Sequence, residues 1–315
     1  MIPVEEIRRA QQVLDGVAIR TPLVRLDAES DAEIWLKLEL LQPVRSFKIR
    51  GAGNAVLQAT DEELAGGVFT ASAGNMAQGL AYAARMRGVP ATIVAPEHAP
   101  QAKVTAIERY GGRVIKVPYD EWWNVLVTGE SEHTSGLYIS PVDNDRVMAG
   151  NGTIGLELLE QLPDFDAVIV PYGGGGLLSG IASAVKAERP GVRFYAAEPE
   201  TGAPVAATFA AGGEPTEVEY AASWIDGSGS RALLPRVWAH ASELLEGAFA
   251  VPLEDAAGAL RLLAERTRVI AEGAGALSTA VALSGQVDAR KIVCIVSGGN
   301  IDQAVLARIL LGETP

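Results

Sequence analysis

One succession governs what this chain can fold into: a short run of apolar and β-branched residues, then a longer Ala/Leu segment of helical period, repeated along the sequence. The runs are GGVFTAS, PATIVAP, GRVIKVP, DAVIVPYGG, VRFYAAEP and KIVCIVSGG, and the helical segments include NMAQGLAYAARMRG, APQAKVTAIERYGG, LLSGIASAVKAERPG and LEDAAGALRLLAERTRV. Such alternation predicts an α/β protein with a mostly parallel sheet. Gly88, Gly111 and Gly191 follow helical segments, where a helix C-terminus calls for a left-handed residue. No internal repeat or low-complexity tract interrupts the pattern. With 315 residues, 48% of them hydrophobic, and a mean hydropathy of +0.17, the chain can bury a large core. At about 150 residues per domain it should form roughly two domains, the chain crossing between them near Leu41 and Asp143.

Charge narrows the partners. A net charge of −13 opposes a nucleic acid or an anionic membrane surface unless a local basic patch compensates, and none is visible. The single cysteine, Cys294, lies in an apolar strand segment, which leaves no disulfide framework and no cysteine metal site. MIPVEEIRRA lacks a basic region followed by an apolar core, and no apolar stretch approaches about 18 residues. A cytoplasmic protein is expected.

Three turns fall at the C-terminal ends of strand segments, the edge where open parallel sheets collect ligands. They are Ser72-Ala73-Gly74-Asn75, the four glycines Gly173 to Gly176, and Ser297-Gly298-Gly299. Glycine turns entering helices expose backbone N–H groups suited to a phosphate or carboxylate. GGGGLLSG is neither a P-loop nor a GxGxxG fingerprint, although Glu198 at the end of the next strand keeps a dinucleotide reading open. Lys48 adds an amine flanked by Phe47 and Ile49, where partial burial lowers its pKa and frees it for covalent chemistry.

Each feature alone has a plainer reading. A Lys-x-Arg-Gly segment is commonly a helix entry, glycines after strands are often packing devices, and Ser297 could cap the next helix. Their coincidence carries the argument.

SFKIRGA, SAGNMAQGLAYAA, GGGGLLSGIA and VSGGNID, in this order, resemble the serine/threonine dehydratase and serine racemase family of fold type II pyridoxal-phosphate enzymes. RTPL at 20–23 and GTIGLELLEQ at 152–161 are similar to the same family, so the likeness runs nearly end to end. It implies a tryptophan synthase β-like fold with two open, twisted, mostly parallel sheets and helices on both faces. A large domain of residues 1–40 and 144–315 and an inserted small domain of residues 41–143 would hold pyridoxal phosphate between them. A homodimer is also implied.

By the same likeness Lys48 would carry the cofactor as a Schiff base, with Phe47 against it. Gly173, Gly174, Gly175 and Gly176 with Leu177 would bind its phosphate, Asn75 the ring hydroxyl, and Ser297 the pyridine nitrogen. Glu272 matches a family glutamate near that end of the cofactor, with helix capping as its alternative. Ser72, Ala73, Gly74 and Asn75 would receive the substrate carboxylate. The expected reaction is loss of water from a 3-hydroxy amino acid of the L-threonine or L-serine type, giving a 2-oxo acid and ammonia. Racemisation, β-replacement and a non-catalytic binding role are the alternatives.

Several positions depart from the family pattern. Arg45 stands where glycine is usual, and Met76 replaces the histidine of GNH. Met76 with Trp122 or Trp123 could line a pocket for a bulkier substrate, though adjacent tryptophans on a helix more often divide between core and surface. Family members that bind a divalent cation use a glutamate matching Glu198, a carbonyl matching Gly202 and an acid where this chain has Pro204, so no metal is expected. Racemases of this kind carry a serine where Ala73 stands.

Overall fold

The computed structural model describes residues 1–315. Ten strands form two sheets: β1 (Leu23–Arg25), β2 (Glu33–Leu38), β3 (Val68–Ala71), β4 (Ala91–Pro96), β5 (Gly112–Val117), β6 (Leu137–Tyr138), β7 (Ala167–Pro171), β8 (Arg193–Pro199), β9 (Gly247–Val251) and β10 (Lys291–Val296). The six-stranded sheet has the order β1-β2-β10-β7-β8-β9, and the four-stranded sheet the order β5-β4-β3-β6. Only the β1–β2 pairing is antiparallel. The helices are α1 (Val4–Val13), α2 (Lys48–Leu57), α3 (Asn75–Arg87), α4 (Gln101–Arg109), α5 (Tyr119–Thr128), α6 (Asp145–Gln161), α7 (Gly176–Glu188), α8 (Pro204–Ala210), α9 (Pro235–Ala241), α10 (Leu253–Thr267), α11 (Gly273–Leu283) and α12 (Gln303–Leu310).

Both faces of each sheet are covered, which the two-residue period of a strand makes visible. In β10, Ile292, Cys294 and Val296 pack with Leu260, Leu263 and Leu277 of α10 and α11. Val293 and Ile295 point the other way, into a core with Ile154, Leu158, Leu178 and Ile181 of α6 and α7. The four-stranded sheet repeats the arrangement: Val68, Ala91 and Ile93 face α2 and α3, whereas Phe69, Ala71 and Val94 face Val125 of α5. All six strands expected from the sequence form. Where α6 crosses α7, a Cβ on Gly180 would meet the Met148 carbonyl and, at 2.8 Å, the Gly152 nitrogen, so only glycine lets these backbones approach so closely.

Gly88 takes φ +76 as the left-handed cap of α3, and Gly111 takes φ +92 after α4. Gly191 does not take this role. α7 ends at Glu188 because Pro190 forces Arg189 out of helical geometry, to φ −133 and ψ 76, before the glycine is reached. Arg45 has φ +60, which explains why glycine is usual there and marks a strained backbone beside the Lys48 motif.

Candidate active site

A strand-like clasp brings two distant motifs together. Ser46 bridges to Gly298, the Phe47 N–H donates to the Ser297 carbonyl at 3.0 Å, and the Gly299 N–H donates to the Arg45 carbonyl at 2.9 Å. Lys48, the next residue, opens α2 at the end of β10. Its ammonium donates to the Pro141 carbonyl at 2.8 Å and lies 5.1 Å from the Phe47 ring centroid. Lys48 as a residue is half-buried, but its amine end is enclosed, and this desolvation lowers its pKa to about 8 against an opposing pull from Glu272.

Glu272 precedes α11 in the cap position, yet its carboxylate caps nothing. Its Oε1 accepts from Asn75 Nδ2 at 2.7 Å, and its Oε2 accepts from the Asn300 N–H at 3.2 Å. Asn300 Nδ2 also donates to Asn75 Oδ1 at 2.8 Å and to the Val44 carbonyl at 3.0 Å. Burial, and then the negative charge of Asp226, push the Glu272 carboxyl up to about 8, while the bonds from Asn75 and Asn300 oppose the shift. The helix-capping alternative for Glu272 is therefore set aside.

Gly74 stands at the cap of α3, and its N–H donates to Ser72 Oγ at 3.2 Å. The first turn of a helix leaves its N–H groups without helical partners, so this turn could receive a carboxylate. The Gly173–Gly176 turn joins β7 to α7 and is bare for a steric reason. A Cβ on Gly174 would strike Val142, and one on Gly175, at φ +86, would lie 2.5 Å from the Tyr172 hydroxyl. Gly173 faces the Gly227–Gly229 segment, where Ser228 Oγ and the Gly229 N–H both donate to the Tyr172 carbonyl. Leu177 and Ser297 are buried, the latter at the end of β10.

A cradle of bare backbone at the start of a 13-residue helix, packed against Val142 next to the Pro141 carbonyl that holds a lysine of lowered pKa, fits a phosphate-bearing carbonyl cofactor. The backbone N–H groups that could hold a phosphate and the amine that could meet a carbonyl carbon are both in place.

Comparison with known proteins agrees. The pyridoxal-phosphate dependent enzyme family matches residues 14–298. The chain is 38% identical to an L-threonine ammonia-lyase of Thermotoga maritima, over 98% of this chain and 78% of that protein. It is 36% identical to a serine racemase of Oryza sativa subsp. indica, over 96% and 92% respectively. The solved structure of maize serine racemase superposes with a TM-score of 0.89 at 35% identity, covering 98% of this chain and 96% of that one. The fold and site thus define a fold type II pyridoxal-phosphate enzyme. This chain belongs to the pyridoxal-phosphate dependent enzyme family, among its dehydratases and racemases.

The structure brings Lys48, Phe47, Asn75, Glu272 and Ser297 to one site, joined by the Ser46–Gly298 bridge and the Asn75–Glu272 bond, with the 173–176 turn reaching it through Val142. Met76 is not part of it: only 2% exposed, it lies in the α2–α3 core, which corrects the bulky-pocket reading of that residue. Trp122 packs on the opposite face of the four-stranded sheet and Trp123 is 52% exposed, the core-and-surface division. Glu198 is fully buried and accepts N–H bonds from Val205 and Ala206 in α8. Asn300, Asp226 and Ser228 escaped sequence reasoning. Asn300 sits within VSGGNID and was in view, whereas the 225–229 segment follows no strand and carried no signal.

Proposed function

We propose that this chain is a pyridoxal-phosphate-dependent dehydratase that removes water from an L-3-hydroxy amino acid of the threonine or serine type, releasing a 2-oxo acid and ammonia. The observation that carries the reading is the pairing of one basic amine, Lys48, with a turn whose second residue is the methyl-bearing Ala73. Pyridoxal phosphate, when bound, supplies an electron-accepting ring that acidifies the Cα–H of an attached amino acid. Gly173 to Gly176 and Leu177 would hold its phosphate, Lys48 its aldehyde carbon, Phe47 its ring face, Asn75 its hydroxyl and Ser297 its ring nitrogen, with Glu272 beside them.

The α3 first turn binds the substrate carboxylate through its free N–H groups, which fixes the Cα–H toward Lys48. A depressed pKa leaves part of the Lys48 population neutral at physiological pH, so Nζ accepts the Cα proton as a general base. The C–O bond to the β-hydroxyl breaks, and the oxygen leaves as water on taking the proton that Lys48 Nζ removed from Cα. The enamine so formed tautomerises to an imine, and water converts it to the 2-oxo acid and ammonia. Ala73 offers no proton on the other face, and the Ser72 hydroxyl already accepts the Gly74 N–H inside the turn. Racemisation therefore stands second.

We take residues 1–40 with 144–315 as one wall of the cleft and 41–143 as the other; all strands of the smaller sheet fall between Val68 and Tyr138, which supports this. The homodimer rests on the family likeness alone. No helix is long and apolar enough to cross a membrane. The test is direct: purified holoenzyme given L-threonine or L-serine should yield 2-oxo acid and ammonia in equal amounts. Production of neither from any 3-hydroxy amino acid overturns the reading.

A further inference from the structure

Arg50 of the SFKIRGA stretch has no part in the chemistry above, yet it sits two residues beyond Lys48 in the same helical turn and is only 2% exposed. Its Nε and Nη2 donate to Glu39 Oε2 and Oε1 at 2.7 and 2.9 Å, a two-pronged pairing. On the other edge Nη1 and Nη2 donate to Glu157 Oε1 and Oε2 at 2.6 and 3.0 Å. Nη1 also donates to Thr153 Oγ1 at 3.0 Å, and Nη2 to the Ile19 carbonyl at 3.1 Å. Lys37 closes the group: its ammonium pairs with Glu157 and donates to the Thr21 carbonyl and Gln161 Oε1, each at 2.8 Å.

Two buried cations and two buried anions are therefore joined into one neutral cluster. Desolvating such ions costs about as much as their attraction returns, and apolar residues of the same shape commonly serve stability as well. Stability alone does not explain the cluster. Geometry does. A planar guanidinium held along two edges by two carboxylates has its plane and position fixed. The anchors are Lys37 of β2, Glu39 in the turn after it, and Glu157 of α6, all outside the four-stranded sheet. On the other side of Lys48, the Phe47 N–H is fastened to Ser297 at the end of β10. Lys48 is thus clamped from both directions to the body of the six-stranded sheet.

We propose that Arg50 is a positioning residue for Lys48: pinned between Glu39 and Glu157, it sets the rotation of the first turn of α2 and so the aim of the Lys48 amine. This rests on Lys48 being the cofactor-bearing lysine. Arg50→Lys keeps the charge and loses the planar fork. Misplacement by about 1 Å lowers rates about 10²-fold, so kcat should fall by that order while KM moves little. The pH at which the Schiff-base absorbance of the holoenzyme titrates should shift. In cofactor-free protein the pH midpoint for labelling Lys48 with an amine reagent, read by peptide mass spectrometry, should rise from about 8 toward the ordinary lysine value of 10.5.

A variant with a lower melting temperature but unchanged kcat, absorbance titration and labelling midpoint would reduce Arg50 to a structural residue and overturn the inference. If Arg50→Lys does not fold, Glu39→Gln, equal in shape and lacking the charge, is read by the same three measurements, and no change in them is equally decisive. Borohydride reduction of the wild type keeps the two readings apart. Cofactor fixed elsewhere than Lys48 counts against the proposed function, whereas fixation at Lys48 with unaltered variants counts against the role of Arg50.

Discussion

Asn75 Nδ2 donates to Glu272 Oε1 across 2.7 Å, and the two residues belong to elements packed on different sheets. Asn75 opens α3, which packs on the four-stranded sheet, and Glu272 precedes α11, which packs on the six-stranded one. Asn300 completes a triangle by bonding both. The amide expected at the ring hydroxyl is thus oriented by a buried acid, and the state of that acid has thermodynamic consequences.

Glu272 titrates near pH 8 in the folded chain against an ordinary value of 4.5, chiefly because it is buried and then because Asp226 is nearby. Between those values the folded form holds a proton that the unfolded form has released, so stability falls as pH rises through the window, by at most about 1.4 kcal/mol per pH unit. Glu272→Gln should remove this contribution. Urea midpoints of the cofactor-free protein at pH 5.5 and 8 check it; equal pH slopes in wild type and variant would contradict the assignment.

Lys48→Ala should leave circular dichroism unchanged, abolish borohydride-fixed cofactor, and lower turnover by at least about 10³-fold, the order expected for losing a general acid–base group. Wild-type turnover in this variant would remove Lys48 from the mechanism.

Ala73 presents a methyl group where racemisation requires a proton donor. Starting from one enantiomer of serine or threonine, chiral chromatography should show 2-oxo acid accumulating without the antipode. Antipode appearing as fast as the oxo acid would make the chain a racemase. Ala73→Ser is expected to raise antipode formation above the wild-type level.

Glu198 spends its oxygens on the N–H groups of Val205 and Ala206, at 3.2 and 2.9 Å, and Pro204 supplies no carboxylate. Hard cations need several oxygen ligands. Neither magnesium nor calcium should therefore raise the melting temperature, and chelation should leave activity unchanged. A reproducible loss on chelation, restored by the cation, would show a site elsewhere.

The parts of the fold legible in the sequence were those where one residue property sufficed. Runs such as KIVCIV, buried on both faces, announce a central strand without help from their neighbours. EIWLKL did not, because Lys37 and Glu33 break the apolar run; Lys37 is buried only because Glu157 meets it from α6. LVR, LY and GAFAV are too short or too exposed to carry a signal. At the site, Lys48 and the glycine turn were legible as motifs. Asn300 and Asp226 matter through partners far away in sequence, Glu272 for the one and Lys103 for the other, and no local pattern encodes such a meeting.

The order of the six-stranded sheet also dictates when this protein can first become itself. β10, whose partners are β2 and β7, is the last strand of the chain and fills the space between them, pairing residue 291 with residue 33. Until the ribosome has delivered residues 291–296, β2 and β7 each present an open hydrogen-bonding edge and half a core. Nascent chains of this kind depend on late, long-range closure, which is slow and exposes them to wrong partners. Translation arrested just short of β10 should yield a chaperone-bound, protease-sensitive product, although nine of the ten strands would already have been made.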